Sequence, residues 1–211
     1  MGSSRQSAGG AWIASLAAAR IPVRLVTTLL DVPPASGPRG YWAGALTRGD
    51  WVISPSNFAA APLVARHNIP PERLTIIPRS IDTAAFDPAV VDAARIETLR
   101  NAWRVPQAAR ILLVPGRVAP WNGQLILPDV ARMMLDSGLR GFVFVLAGER
   151  RSHRTYAQAV MEQAQAKGVQ ALVRLTGHCH DLPAALAPAD TMVVPATEPP
   201  VAQAKPWAGQ S

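Results

Sequence analysis

Short apolar runs recur along the whole chain, each followed by a longer stretch carrying helix signals. This alternation leaves few folds open. "VRLVTT" (23–28), "DWVIS" (50–54), "RLTIIP" (73–78), "RILLVP" (110–115), "FVFVLAG" (142–148), "VRLTG" (173–177) and "TMVVPA" (191–196) read as strands. Most are apolar throughout rather than on alternate residues, the pattern of a strand covered on both faces. Between them lie helical stretches at 40–49, 55–68, 87–103, 121–137, 153–167 and 182–187. Ser54 is placed to cap the second of these with Pro55 in its first turn, and Asp87 to cap the third with Pro88 behind it. Strands spaced by helices predict parallel sheets with helices on both faces, an α/β fold.

The start, "SAGGAWIASLAAAR" (7–20), has two readings. It could be the apolar core of a signal peptide behind Arg5. The charged region before it is weak and a strand follows at once, so a helix of the folded protein is the better reading. Trp12, Ile13, Leu16 and Ala19 then fall near i, i+1, i+4 and i+7, on one face of it. No stretch reaches the roughly 20 apolar residues of a membrane span. The single cysteine, Cys179, rules out an intramolecular disulfide framework and fits a reducing compartment.

A break falls near residue 87. It predicts two domains, 1–87 and 88–211, with a divergent tail from about 200, and a ligand cleft between two Rossmann-like halves. In such sheets ligands sit at the carboxyl ends of the strands. Gly116-Arg117, Gly148-Glu149 and Gly177-His178 each follow a strand, so these three loops are expected to converge. The net charge of +7 comes almost wholly from arginine, since Lys167 and Lys205 are the only lysines. That charge favours polyanions. The arginines are scattered and not interleaved with aromatic residues, which argues against a dedicated nucleic-acid surface.

Four segments resemble glycosyltransferase family 4. "RLTIIPRSIDTAAFDP" (73–88) is similar to that family's hinge, "ILLVPGRVAPWNGQ" (111–124) to its "GRLxxxKG" loop, and "FVFVLAGE" (142–149) to its "LxLVGxG" strand. "VRLTGHCHDLPAALAPADTMVVPATEP" (173–199) resembles its "VxFxGxxxDxxxxYxxADxxVxPSxxE". They are collinear, and the resemblance runs from about 11 to 199. It implies the GT-B fold, with two Rossmann-like parallel-sheet domains, and transfer of a sugar with retention from a nucleoside diphosphate to an acceptor hydroxyl. It implies no obligatory metal and no cofactor, since the nucleotide sugar is the substrate. The acceptor would be a glycan or lipid-linked glycan, as in polysaccharide biosynthesis, in the cytoplasm or at the inner face of the membrane, with peripheral membrane association left open and no specific nucleic-acid partner.

Carried over residue by residue, the donor diphosphate falls to Gly116, Arg117, Asn122 and Gly123, and the nucleotide to Gly148, Gly177 and His178. A leaving diphosphate gains charge as the glycosidic bond breaks, so cations there act on the transition state. Arg117 has the fork of donors suited to phosphate; the alternative is a solvated loop arginine. Asn122 stands at the lysine position without its charge, and reads better as a turn residue before Gly123. Leu30, before Asp31, stands where the family pattern has a histidine. Pro200 and Ala208 stand where it has an acidic pair, and Glu198 matches neither, so no catalytic residue is assigned. "HCH" (178–180) shows no further ligand at metal spacing, and "RRSHR" (150–154) reads as the solvated start of a helix rather than a phosphate grip.

These departures imply a fragment with both domains incomplete and little transfer activity alone. The alternative is a residual nucleotide-binding or interaction module without catalysis. Apolar edges left uncovered would favour aggregation or a molten first half. The tail "KPWAGQS" back-translates in another frame to a segment resembling the family's "EAxAxGxPV", which predicts a frameshift that sequencing the locus would reveal.

Overall fold

A computed structural model of the chain describes residues 8–29 and 44–197. The expectations for Leu30, Asp31, residues 40–43, Glu198, Pro200, Ala208 and the tail lie outside the described residues. The described residues divide into two compact units, one running to Ser80 and the other from Ile81 to Thr197.

The first unit holds α1 (Ala8–Ala18), β1 (Val26–Thr28), β2 (Trp51–Ser54), α2 (Asn57–His67) and β3 (Leu74–Ile76). Its strands form a parallel sheet in the order β1-β2-β3, with Val26 opposite Trp51 and Val52 opposite Leu74. The stretch 40–49 contributes a 3-10 turn, Gly44–Thr47. Two expectations are corrected here. The cap of α2 is Ser56, whose Oγ accepts the Ala59 N–H at 3.1 Å. Ser54 is instead the buried last residue of β2, its hydroxyl donating to the Ser56 carbonyl. Strand geometry extends through Ser54, so the non-helical residue that can cap comes two positions later. The expected apolar face of α1 is also rotated. Ile13 is 72% and Leu16 55% exposed, while Trp12, Ser15 and Ala18 are half-buried. Burial follows the large indole, with the Arg48 guanidinium 4.1 Å from its ring centroid, and the small residues on its side of the helix.

Among the described residues, Leu29, Val52 and Ile69 form a buried cluster in this unit, with Leu74 against it. Strands of three and four residues open more readily than the six-residue, fully buried β5 of the second unit. Amides of β1 and β2 are expected to exchange with deuterium at least about tenfold faster than those of the second unit's central strands. Equal protection would show that other contacts hold this sheet.

The second unit contains α3 (Ala93–Ala102), β4 (Arg110–Pro115), α4 (Leu127–Asp136), β5 (Phe142–Ala147), α5 (Arg154–Ala166), β6 (Val173–Gly177), α6 (Leu182–Leu186) and β7 (Thr191–Met192). Its parallel sheet runs β6-β5-β4-β7. β5 is buried along its whole length, which is why its sequence shows no alternation. Phe142, Phe144 and Leu146 point into one core with Val160 and Ala164 of α5 and Ala131 of α4. Val143, Val145 and Ala147 point into the other with Trp103, Cys179 and Ala185. A helix layer thus covers each face, as the apolar strands predict.

Several element boundaries differ from expectation: the strands expected over 23–28 and 73–78 are shorter, and the helix expected over 121–137 starts at Leu127 after two 3-10 turns. The stretch 87–103 is a 3-10 turn, Pro88–Val90, capped by Asp87, followed by α3 capped by Asp92. A second aspartate able to accept an amide N–H offers a second start, here Ala94 N–H at 2.9 Å. The strand expected over 191–196 narrows to Thr191–Met192, although the Val193 N–H still donates to the Leu113 carbonyl.

Candidate functional site

Because β4, β5 and β6 are parallel neighbours, the loops after Pro115, Ala147 and Gly177 leave the same edge of the sheet. The first two are joined by backbone. Gly116 N–H donates to Ala147 O at 3.2 Å and Val118 N–H to Glu149 O at 2.9 Å. A Cβ on Gly148 would lie 1.8 Å from Gly116 O, so the two main chains approach more closely than any side chain allows. At β6 the register slips by one residue, so Ala147 pairs with Gly177. The extra residue, Thr176, donates its hydroxyl to Leu146 O at 3.2 Å.

The loop after β4 folds back on the Arg117 carbonyl. That oxygen accepts from Asn122 Nδ2 at 2.6 Å and from Gln124 Nε2 at 2.9 Å. Gly123 sits between these donors at φ 68°, where a left-handed residue turns the chain from the 3-10 turn Pro120–Asn122 toward α4. Thr197 closes the loop from the far side, its N–H donating to Trp121 O and its hydroxyl to Pro120 O. Trp121 packs edge-on against His153, with centroids 4.8 Å apart, and the Tyr156 hydroxyl accepts the Leu125 N–H at 3.0 Å. The Asn122 amide is thus a clasp on Arg117's main chain, as suits a turn residue.

The Arg117 guanidinium is 40% exposed, and its Nε lies 4.0 Å from Glu149 Oε2. Glu149 is held in turn by the N–H groups of Arg151 and Ser152 and by the Ser152 hydroxyl. Burial pushes its carboxyl up. The hydrogen bonds from Ser152 and Arg151, with the charge of Arg117, outweigh that and hold it below the usual carboxylate range. An anion reaching Arg117 therefore competes with a fixed carboxylate.

The third loop begins with exposed His178, whose ring meets His180 edge-on at 4.4 Å. Between them Cys179 is buried, its thiol raised by that burial and donating to Asp181 O at 3.4 Å. Asp181 caps α6 through the Ala184 N–H and takes a two-pronged bond from Arg95 of α3 at 2.7 and 2.8 Å. The bond from Arg95, opposed by burial and helped by Ala184, keeps its carboxyl below the usual range. "HCH" is therefore the approach to a helix cap. No group of three or more His, Cys, Asp or Glu suited to a metal occurs among the described residues.

A folded pKa below the unfolded one means that Asp181's stabilisation is complete above the unfolded value and is lost as pH falls through the folded one. Asp181→Ala is expected to cost about 1–2 kcal/mol at neutral pH, from a lost cap and a half-exposed ion pair. Chemical denaturation would show this difference shrinking in acid; a constant difference would exclude the carboxylate as its source.

The structure thus brings Gly116, Arg117, Asn122, Gly123 and Gly148 into one cluster, with Gly177 and His178 opening the next loop of the same edge. Sequence reasoning missed Gln124, which is 1% exposed. Its signal was a lone amide at the head of the apolar run "LILP". It also missed Thr197 as a loop clasp and Glu149 as the partner of Arg117.

Two parallel-sheet α/β units in this order define the fold of the GT-B glycosyltransferases. Anabaena HepE in complex with UDP superimposes with a TM-score of 0.77 over 92% of this chain and 52% of that one, at 18% identity. A glycosyltransferase from Rickettsia africae gives 0.70 over 94% and 59%, also at 18% identity. In sequence, residues 6–85 match Glycosyltransferase Family 4. The D-inositol 3-phosphate glycosyltransferase of Salinispora tropica is 28% identical over 159 residues, 71% of this chain and 33% of that enzyme. The chain is glycosyltransferase-like, and it spans about a third of that curated relative. No helix among the described residues is long and apolar enough to cross a membrane.

Proposed function

We propose that the carboxyl edge of the second sheet binds the diphosphate of a nucleoside-diphosphate sugar, and that this chain alone transfers the sugar weakly or not at all. The observation carrying the reading is the backbone approach of Gly116 to Gly148, which draws the loops after β4 and β5 together and sets the loop cation Arg117 beside Glu149 at that edge. HepE, whose fold this chain shares, is described with UDP bound, which supports a nucleotide as the ligand. In a retaining transfer to an acceptor hydroxyl of a glycan or lipid-linked glycan, Arg117 would stabilise the charge growing on the leaving diphosphate. Asn122 adds no charge, and its amide is committed to the Arg117 carbonyl. Pro200 and Ala208 bring no carboxylates to the positions where the family motif has its acidic pair.

Calorimetry with UDP and GDP tests the binding. A charge-assisted hydrogen bond contributes about 1.5–3 kcal/mol, so Arg117→Ala is expected to weaken binding by roughly tenfold or more. Absence of binding by the unaltered chain would overturn the reading. Turnover of a nucleotide sugar at roughly 1 s⁻¹ or faster, the usual enzymatic range, would overturn the claim of weak transfer.

A further inference from the structure

The second unit has a cleft of about 490 Å³ along β6, the end strand of its sheet, and Arg117 is not among its lining residues. Its lining includes three cations, Arg104, Arg150 and Arg174, and an apolar wall of Met161, Val173 and Leu175. Among the described residues no carboxylate lines it. Four other cations of this unit have carboxylate partners, Arg95 with Asp181, Arg117 with Glu149, Arg132 with Asp136 and Lys167 with Asp129, while Arg100 and Arg140 bond to main-chain oxygens. The three cleft arginines take part in none of these pairs. Arg174 reaches a main-chain oxygen, that of Gln170 at 3.5 Å.

Arg104 adds a second observation. It follows α3 at φ 54°, with Val105 N–H closing on Arg100 O and its own N–H on Asn101 O. This is the helix-terminating turn that favours glycine, because a Cβ is strained in the left-handed region. An arginine there costs stability, and it lines the cleft.

We propose that this cleft is a second anion site, taking a ligand with a phosphate ester or pyrophosphate beside an apolar or flat group. Guanidinium forks suit phosphate oxygens. Met161 and Leu175, partly buried against the core, suit the rest of the molecule. Such a group could belong to a soluble phosphorylated compound or to an anionic lipid headgroup. The competing explanation is that arginines beside a sheet edge merely discourage pairing between copies.

The test uses the full chain carrying Arg117→Ala, which silences the first site. Inorganic pyrophosphate is titrated while the side-chain Nε–Hε resonances of Arg104, Arg150 and Arg174 are followed by NMR. In parallel, the protein is sedimented with phosphatidylcholine vesicles with and without phosphatidic acid. Saturable shifts or phosphatidic-acid-dependent sedimentation are expected, reduced at least tenfold by Arg104→Gln with Arg174→Gln. The arm that responds identifies the soluble or the lipid source. Arg104→Gly should weaken the same binding while raising the thermal midpoint, an outcome that a purely structural role does not produce. Silence in both arms overturns the proposal, as does binding unchanged in the double variant. Pyrophosphate binding seen only with Arg117 intact also overturns it, and leaves the first site standing. Self-association of the double variant with undiminished binding assigns these arginines to edge protection instead.

Discussion

Gly148→Ala is expected to destabilise the second unit by about 3 kcal/mol or more, lowering its thermal midpoint by about 10 °C. The new Cβ would lie 1.8 Å from Gly116 O, 2.4 Å from Gly116 C and 3.0 Å from Arg117 N. All three are main-chain atoms, so no side chain can swing aside. The loop after β4 has to move, which breaks the Gly116 to Ala147 and Val118 to Glu149 hydrogen bonds and displaces Arg117. Nucleotide binding should therefore vanish along with the stability. Differential scanning calorimetry with a UDP titration checks both; a variant that melts like the parent would mean that the two loops are not in this contact.

Gly123→Ala is the second large effect, and its cause is double. The residue holds φ 68°, and a Cβ there would lie 1.9 Å from Pro195 O. Left-handed strain alone costs roughly 1–2 kcal/mol; displacing the 195–197 segment and its Thr197 clasp adds to it, for about 3 kcal/mol in all. Gly168 separates the two contributions. It has φ 67°, and a Cβ added there would meet nothing within 4 Å, so Gly168→Ala should lose only the strain, about 1 kcal/mol. Equal losses in urea unfolding would show that the contact with Pro195 contributes nothing.

Much of the fold was legible because both faces of a central strand must be covered. "FVFVLAG" has no polar position to turn toward water, so a buried parallel strand is the reading that fits, and β5 is that strand. The motif loops were legible for the same reason: where an apolar run meets a glycine, a parallel strand ends. Choices between near neighbours were not legible. Ser54 and Ser56 can each cap a helix by chemistry, and the extent of β2 decides between them. Asp87 and Asp92 can each start one, and both do. The face of α1 was misread because helical periodicity places Ile13 and Leu16 together without stating what, if anything, lies over them.

At the candidate site the sequence alone determined the residue types: one arginine where a resembling loop has two cations, glycines at the strand ends, and an amide at 122. Such facts are local in the chain. Only the tertiary structure decided what those groups face. It turned the Asn122 amide onto the Arg117 carbonyl, set Glu149 beside the guanidinium and brought Thr197 across from beyond β7. Each of these partners depends on how neighbouring strands are ordered and registered. That ordering comes from burying two apolar faces at once, a condition on the whole sheet that no single stretch of sequence carries.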